Sequence, residues 1–182
     1  MISFVDNFLP IKELHKLQNL IHTTDLRPVT NMENKQLNIG FRNWISYKDP
    51  IFKVFNKRTA YHFPLSKKFV PQDDMISLHL RHNKEKPIPH TDGQHIGGIH
   101  QPAPYNILFY LKGEKLLNNG TGFYVNGELS AHVGFVENRA LFFKGGDIYH
   151  TNLQYFGDSS PRYTLITFFA KKDFEGRKKK LK

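Results

Sequence analysis

The segment FFKGGDIYHTNLQYFGDSSPRYTLITFF, residues 142–169, predicts the class of fold because it holds two strand patterns separated by turns. Strands alternate the faces of their side chains, and Gly, Asn and Asp supply the conformations that tight turns need. A Gly-Gly-Asp turn precedes His150, which closes a short strand, and Arg162 opens the next strand twelve residues later. Alternation then places Arg162 and Thr164 on one face. The segment therefore predicts a strand that presents a guanidinium and a hydroxyl together.

The same period-two pattern extends back to about residue 75, in short runs separated by turn signals. The runs are MISLHLRHN, YNILFYLK, GTGFYVNG, RALFFKGGDIYH and RYTLITFFA. The turn signals are NNGTG, VNGE, KGGD and GDSSP. With 16 Phe and 8 Tyr in 182 residues, the interior is expected to be rich in sheet. These patterns predict an antiparallel sandwich or barrel.

Helical signals dominate the first part of the chain instead. In LPIKELHKLQNLIH, Pro10 suits a first helical turn and apolar side chains recur at helical spacing, namely Ile11, Leu14, Leu17, Leu20 and Ile21. A second, short helix is predicted at DPIFKVFNK, with Asp49 as its cap and Pro50 as its first helical residue. We therefore expect a mainly β fold with flanking N-terminal helices.

The net charge of +10 is concentrated at the C-terminus. The last twelve residues, KKDFEGRKKKLK, hold seven basic and two acidic side chains and so account for half of the excess. A lysine run at a terminus is typically a disordered tail, and contact with nucleic acid is the alternative interpretation. We expect the tail 177–182 to be dispensable for activity.

The chain contains no cysteine, so a metal site would have to use nitrogen and oxygen ligands. The opening MISFVDNFLPIKELHK carries charged residues inside what would have to be an apolar signal core, and no later stretch approaches 18 apolar residues. We therefore expect no export, no membrane insertion and a cytoplasmic location.

Two metal-binding side chains, His90 and Asp92, lie in PIPHTDGQHIGG, residues 87–98. A strand repeats every two residues, so the pair can share one ion, although a turn hydrogen bond between them is the alternative. Together with His150 they make two histidines and one carboxylate, the ligand set of a facial triad, which leaves three positions of an octahedral iron open. Four further histidines are expected at solvated positions rather than in this set: His82, His95, His100 and His132.

The order of these motifs resembles that of the Fe(II)/2-oxoglutarate oxygenases, and within them the prolyl 4-hydroxylase-like group. The motifs are the His-x-Asp pair, a strand with a tyrosine (YNILFYL), a glycine-rich strand entry (NNGTGFYV), a Gly-Asp turn before a distal histidine (GGDIYH) and Arg-x-Thr on the last strand. The opening ISFVDNFLP is also similar to that group. The resemblance implies a double-stranded β-helix, a jelly-roll or cupin-like barrel. It implies one domain over 1–176, with helical and strand support from 1–74 and the jelly-roll core at 75–170.

The resemblance also implies roles for individual residues. The three predicted metal ligands match the iron ligands. Arg162 matches the basic residue that pairs with the distal carboxylate of 2-oxoglutarate, and Thr164 would add a hydroxyl to it. Tyr110, in LFYLK, matches a tyrosine that reaches the same end in several members. The sequence departs from the pattern just upstream of His90, where no tyrosine is available for the other end of 2-oxoglutarate. The residues alone leave alternatives, a surface ion pair for Arg162 and a structural role for Tyr110.

The resemblance implies an Fe(II)- and 2-oxoglutarate-dependent dioxygenase that uses O2, with ascorbate as reductant, and hydroxylates a C–H bond, releasing succinate and CO2. The group points to a prolyl, or other, residue of a protein or peptide. The alternatives are a free amino acid or small molecule as substrate and, from another class, a cupin-like metal-binding protein without oxidative activity. Nucleic-acid repair is disfavoured, because the demethylase branch has a second arginine where this chain has Phe168. The sequence indicates no oligomeric state.

Overall fold

The computed structural model describes residues 1–30, 36–81, 88–96, 99–153 and 161–171. These residues hold the helices α1 (Ile11–Gln18), α2 (Leu20–Thr23) and α3 (Lys53–His62). Their strands are β1 (Ile2–Val5), β2 (Arg27–Thr30), β3 (Gln36–Ser46), β4 (Phe69–Pro71), β5 (Met75–Arg81), β6 (Gly93–Ile96), β7 (Ile99–Pro102), β8 (Tyr105–Lys112), β9 (Leu116–Val125), β10 (Glu128–Phe135), β11 (Arg139–Phe143), β12 (Tyr149–Asn152) and β13 (Arg162–Lys171). The predicted tail, 177–182, lies outside the described residues. Of the helices described, none has the length and apolar character needed to cross a membrane.

The strands form a large and a small antiparallel sheet that face each other. The large sheet has the order β1-β11-β8-β13-β5-β3-β2, with β4 also paired to β13, and the small sheet has the order β10-β9-β12. Tyr110 on β8 reaches Thr121 on β9 across the interior, with their hydroxyl oxygens 2.8 Å apart. Strands β6 and β7 form a separate two-stranded ribbon. The jelly roll predicted from the sequence is therefore confirmed.

Side-chain alternation along the large sheet separates two apolar cores. On β8, Ile107, Phe109 and Leu111 lie in the core beneath the helices. Tyr110, on the opposite face of the same strand, lies in the core between the two sheets, and Leu108 packs against that core. The helices thus cover one face of the large sheet, and the face toward the small sheet supplies the residues of the site.

The predicted N-terminal helix is present as α1 and α2. Leu14 and Leu17 are buried beneath it, and Leu20 and Ile21 pack against the same core. The prediction that Ile11 belongs to the packed face of this helix is wrong, because this side chain is 64% exposed. Ile11 is the first helical residue after an exposed proline, so this turn projects beyond the edge of the core.

The second predicted helix start is also confirmed. The Asp49 carboxylate accepts a hydrogen bond of 2.9 Å from the backbone N–H of Ile51, and Pro50 opens a single 3₁₀ turn that leads into α3. Phe52 and Phe55 bury their rings in the helix-side core. The cap therefore satisfies a backbone N–H that would otherwise lack a partner at the start of this helical segment.

One predicted turn, NNGTG, is wrong, because β9 runs through it as a continuous strand. A Cβ at Gly120 would lie 2.0 Å from the Val133 carbonyl oxygen of β10, so glycine permits a close strand approach rather than a turn. The register of β9 and β10 shifts next to this contact. The predicted turn at Asn126 and Gly127 is confirmed by positive φ angles of 52° and 83°. Residues 157–160 of the GDSSP turn lie outside the described residues.

The first nine residues are fixed to an edge of the large sheet, where β1 pairs with β11. The Asn138 amide accepts from the Leu9 N–H and donates to the Leu9 carbonyl, both at 2.8 Å. Arg139 forms a two-pronged ion pair with Asp6, at 2.5 and 2.9 Å, and its guanidinium lies 4.8 Å from the centre of the Phe4 ring. Side-chain contacts therefore reinforce the backbone pairing of this strand.

Candidate functional site

His90 and His150 are neighbours because their backbones pair in an isolated antiparallel bridge. The His90 N–H donates to the His150 carbonyl at 3.1 Å, and the His150 N–H donates to the His90 carbonyl at 2.9 Å. The bridge places the two imidazole rings 4.9 Å apart. It ties the segment before β6 to β12, which pairs with β9 in the small sheet. Two histidines that are sixty residues apart in sequence thus share one position in space.

Asp92 completes the cluster, and both its backbone and its side chain are held. Its N–H donates to the Gly145 carbonyl at 2.8 Å, within the glycine turn that precedes β12. The Asn106 side-chain amide donates to Oδ2 of the carboxylate. Oδ2 lies 2.9 Å from Nε2 of His150, and Oδ1 lies 3.8 Å from Nε2 of His90. The alternative of a His90–Asp92 turn hydrogen bond is wrong, because that separation is too long for one.

The donor set fits a divalent metal ion. Nδ1 of His90 lies 3.0 Å from the carbonyl oxygen of Ile88. In the same way, Nδ1 of His150 lies 2.9 Å from the carbonyl oxygen of Ile148. A ring that donates through Nδ1 leaves its Nε2 lone pair available, and both Nε2 atoms face Asp92. Partial burial, opposed by the charge of Asp92, lowers the pKa of His90 and favours the neutral ring that metals bind.

The spacing of the three ligand atoms is close to what one ion requires. All three lie within 4.8 Å of one another. Adjacent ligands of an octahedral ion with bonds of roughly 2.0–2.2 Å lie roughly 3 Å apart. Nε2 of His150 and Oδ2 of Asp92 already have this spacing, at 2.9 Å, so the His90 ring is the one that has to move inward. The side chains of Asp92 and His150 are 12% and 7% exposed, whereas that of His90 is 51% exposed. The cluster is thus open on one side, where further ligands can enter.

The cluster forms part of the wall of a cavity of about 390 Å³ between the two sheets. Arg162 and Thr164 of β13 line this cavity together, as the strand alternation predicts. Arg162 is 2% exposed, and its guanidinium lies 4.7 Å from the centre of the Phe135 ring. Burial lowers the pKa of Arg162 to about 10, so it is still a cation at neutral pH. This side chain is buried, whereas the alternative of a surface ion pair requires an exposed one.

Tyr110 also lines the cavity, and its hydroxyl is already engaged by the small sheet. It lies 2.8 Å from Oγ1 of Thr121, accepts from the Thr121 N–H at 3.1 Å and lies 3.2 Å from the Val133 carbonyl. Burial raises the pKa of Tyr110 to about 12, so the hydroxyl keeps its proton. These bonds give Tyr110 a structural role, and its contact with 2-oxoglutarate stays a prediction.

A row of polar side chains crosses four adjacent strands of the large sheet, and the sequence predicted only half of it. Thr164 pairs in register with Tyr110 on one side and with His79 on the other, and His79 pairs with Arg42. All four line the cavity, as does Arg81 beside Arg162. The missed signal is in MISLHLRHN, where His79 and Arg81 alternate with the buried apolar residues of β5.

His79 is the most deeply buried of the missed residues, at 8% exposure. Its Nε2 atom is buried and has no hydrogen-bond partner among the described residues. Burial, followed by the charges of Arg81 and Arg42, holds the pKa of His79 well below its usual value. The side chain is therefore a neutral ring on the cavity wall with one polar atom left to satisfy.

The other predicted non-ligands can be placed only in part. His132 is exposed on β10, with Nε2 3.3 Å from the Leu117 carbonyl, and it does not line the cavity. His82, and the side chains of His95 and His100, lie outside the described part of the chain. Among the residues described, the cluster of His90, Asp92 and His150 is the group that could hold a metal.

Replacing Asn106 with alanine is expected to weaken Mn(II) binding about 10- to 100-fold, the usual effect of losing a side chain that orients a metal ligand. Asn106 is fully buried, and the carboxylate of Asp92 would lose the amide that orients it. Calorimetric titration of the purified variant with Mn(II) measures the change. Asn118→Ala, at an exposed position of β9, is the control. Wild-type affinity in Asn106→Ala would show that the backbone alone positions Asp92.

Comparison with known proteins shows the fold. No family model and no curated protein matches the sequence. A prolyl hydroxylase from Trichoplax adhaerens, solved with a peptide fragment of the hypoxia inducible factor oxygen degradation domain, has a TM-score of 0.69 at 13% identity, over 94% of this chain and 84% of that one. A viral collagen prolyl hydroxylase from Paramecium Bursaria Chlorella virus-1, solved with 2-oxoglutarate, has a TM-score of 0.62 at 14% identity, over 92% and 94%. A non-heme, alpha-ketoglutarate-dependent epimerase from nogalamycin biosynthesis has a TM-score of 0.61 at 13% identity, over 93% and 77%. The predicted resemblance is confirmed at the level of the fold.

Proposed function

We propose that this protein is an Fe(II)- and 2-oxoglutarate-dependent dioxygenase that hydroxylates a C–H bond, with succinate and CO2 as coproducts. One observation carries the proposal. A cluster of two histidines and one carboxylate shares a cavity of about 390 Å³ with a buried arginine and threonine on one strand face. A metal with open positions and a cation for a dicarboxylate are the two sites that this chemistry needs.

The metal site would be formed by Nε2 of His90, Nε2 of His150 and one oxygen of Asp92. A ferrous ion held there would supply the redox chemistry, namely activation of O2 coupled to oxidative decarboxylation of 2-oxoglutarate. The protein holds both imidazoles in the required tautomer through the carbonyls of Ile88 and Ile148. Ascorbate would keep the iron reduced, and a cytoplasmic location, which we also propose, would do the same.

The cosubstrate would lie along the row of polar residues on the large sheet. Arg162 would pair with its distal carboxylate, and Thr164 would donate a hydroxyl hydrogen bond to it. We assign the missing contact at the other end to His79, because its buried Nε2 has no partner among the described residues and lines the same cavity. A neutral imidazole can donate one N–H there, as a tyrosine hydroxyl would.

Replacing His79 with leucine is expected to weaken 2-oxoglutarate binding about tenfold, the usual effect of losing one hydrogen bond to a charged group. The dissociation constant is measured on Mn(II)-loaded protein, where no turnover occurs. Ser77→Ala, two residues earlier on the same face of β5, is the matched control because Ser77 does not line the cavity. An unchanged dissociation constant for 2-oxoglutarate in His79→Leu would show that His79 only packs in the cavity wall and does not contact the cosubstrate.

The substrate that we propose is a prolyl, or other, residue of a protein or peptide. The support is the fold shared with prolyl hydroxylases, one of them solved with a peptide. The epimerase with the same fold supports the alternative of a free amino acid or small molecule. A cupin-like metal-binding protein without oxidative activity is the alternative from another class.

The test is succinate formation from labelled 2-oxoglutarate by the purified protein with Fe(II) and ascorbate, with and without proline-containing peptides. Wild-type protein is expected to form succinate slowly alone and faster with a substrate. His150→Ala is expected to abolish both rates, whereas the exposed His132→Ala keeps them. Metal binding without any succinate, across peptides and free amino acids, would favour the cupin-like alternative.

A further inference from the structure

The described lining of the cavity carries more positive charge than the proposed cosubstrate can neutralise. Three arginines line it, Arg42, Arg81 and Arg162, and Asp92 is the one carboxylate among the described lining residues. Iron and 2-oxoglutarate would add equal and opposite charges. Counted over the described residues, two positive charges would therefore remain in the loaded site, and a buried charge without a counterion is costly.

Arg42 and Arg81 lie close enough to act on each other. Burial lowers the pKa of both, and the charge of Arg42 lowers that of Arg81 further. Asp92 partly offsets Arg81, but no described carboxylate lies within ion-pair distance of either arginine. The guanidinium of Arg42 instead lies 5.6 Å from the centre of the Trp44 ring. Within the described part of the chain, the pair is thus a cationic region with no carboxylate in ion-pair contact.

This region is distinct from the position proposed for the distal carboxylate of 2-oxoglutarate. His79 pairs with Thr164 on one side and with Arg42 on the other, so Arg42 lies two strands away from Thr164. Neighbouring strands are about 4.8 Å apart, which places the two backbones about 10 Å from each other. An anion at Arg42 would therefore not be the distal carboxylate of 2-oxoglutarate, and the other end of 2-oxoglutarate would already be held by the proposed metal and His79, so it would be a second anion.

Arg42 also faces an adjoining groove of about 480 Å³ that leads to the metal cluster. Groove and cavity share Arg42, Asp92 and Phe168. The groove adds an apolar wall, with Trp44 40% exposed and its ring centre 6.1 Å from that of Phe168. Besides Asp92, the groove is lined by one more described carboxylate, that of Asp73, which belongs to the 3₁₀ turn Gln72–Asp74 just before β5. A molecule in this groove would thus lie between an aromatic wall, Arg42 and the proposed iron.

We propose that Arg42, assisted by Arg81, binds a carboxylate of the substrate, so that the enzyme prefers substrates with a carboxylate near the carbon that is hydroxylated. The inference rests on the proposed function and adds a substrate class to it. The carboxylate can come from the α-carboxylate of a free or C-terminal residue, or from an acidic side chain beside the target residue. The aromatic wall of Trp44 and Phe168 receives the apolar part of the same substrate.

Trp44 is the single tryptophan of the chain, so its fluorescence reports binding in this groove without turnover. The full-length protein is loaded with Mn(II) and 2-oxoglutarate and titrated with two pairs of probes. N-acetyl-L-proline and its amide differ only in the α-carboxylate. Acetyl-Pro-Glu-amide and acetyl-Pro-Gln-amide differ only in the side-chain carboxylate. Arg42→Gln removes the proposed contact, Arg42→Lys keeps the charge, and Lys57→Gln removes an exposed charge of α3 as the control.

In one pair or both, the carboxylate probe is expected to bind at least about tenfold tighter than its neutral partner to wild type and to Lys57→Gln. The preference should be lost in Arg42→Gln and partly kept in Arg42→Lys, and the preferred pair identifies the source of the carboxylate. Equal affinities within both pairs, or no binding of either carboxylate probe, would overturn the inference. So would a full preference in Arg42→Gln. A wild-type protein that fails to bind Mn(II) and 2-oxoglutarate at the loading step would instead contradict the proposed function.

Discussion

Asp92→Ala is expected to abolish metal retention and activity together. Asp92 supplies the only carboxylate of the proposed ligand set, and it lies between the two histidines. Loss of a residue that merely orients a ligand costs 10- to 100-fold in metal affinity, so loss of the ligand itself should cost more than about 100-fold. Metal content after dialysis and succinate formation are the two measurements.

The matched control for this variant is Asp147→Ala. Asp147 lies in the glycine turn beside the cluster, but its carboxylate is largely exposed and pairs with Lys144 at 3.4 Å. The Asp147→Ala variant should retain metal and form succinate. Asp92→Asn tests the charge separately, because it keeps the shape of the side chain and one oxygen. Near-normal metal content in Asp92→Ala would contradict the proposed ligand set.

Arg162→Ala is expected to raise the apparent constant for 2-oxoglutarate steeply and to leave metal content near normal. The variant would leave a buried carboxylate unpaired, at a cost of about 3–5 kcal/mol, or roughly a hundredfold to several thousandfold in affinity. Arg162→Lys keeps the charge but loses the two-pronged fit, so we expect an intermediate value. The measurement is the dependence of succinate formation on 2-oxoglutarate concentration.

Arg27→Ala is the control for this comparison, because the Arg27 side chain is 78% exposed and pairs with Asp25 at the surface. Arg162 also stacks on Phe135, so the variant must first be shown to fold, for example by retaining Mn(II). Unchanged 2-oxoglutarate affinity in a folded Arg162→Ala variant would show that Arg162 has only a packing role. It would also favour the alternative of a cupin-like metal-binding protein without oxidative activity.

The sequence predicted those features that depend on neighbouring residues. Alternation along single strands was sufficient to pair Arg162 with Thr164, and the Asp49-Pro50 signal was sufficient to place a helix start. The turn prediction for NNGTG was wrong because glycine occurs both in turns and where two strands approach closely. At Gly120 it permits the close approach of β10. Nothing local to residue 120 distinguishes these uses, since the atom that excludes a side chain belongs to Val133.

Arg42, His79 and Arg81 were missed for a related reason. Each strand pattern tells which residues share a face, but the identity of the strand that lies alongside is set by long-range pairing. His79 lies on the cavity wall only because β5 pairs with β13 and with β3, more than 80 and more than 30 residues away in sequence. Local periodicity contains no such information.

The attachment of the first nine residues has a consequence for solubility. Strand β1, four residues long, is the edge strand of the sheet, and without it the apolar strand β11 would become the edge and present its unpaired backbone groups to other molecules. The Asn138 and Arg139 contacts hold this cover in place at points beyond the strand itself. Proteolytic removal of residues 1–9 would therefore create a template for intermolecular strand addition, and self-association would follow even if the cavity stayed intact.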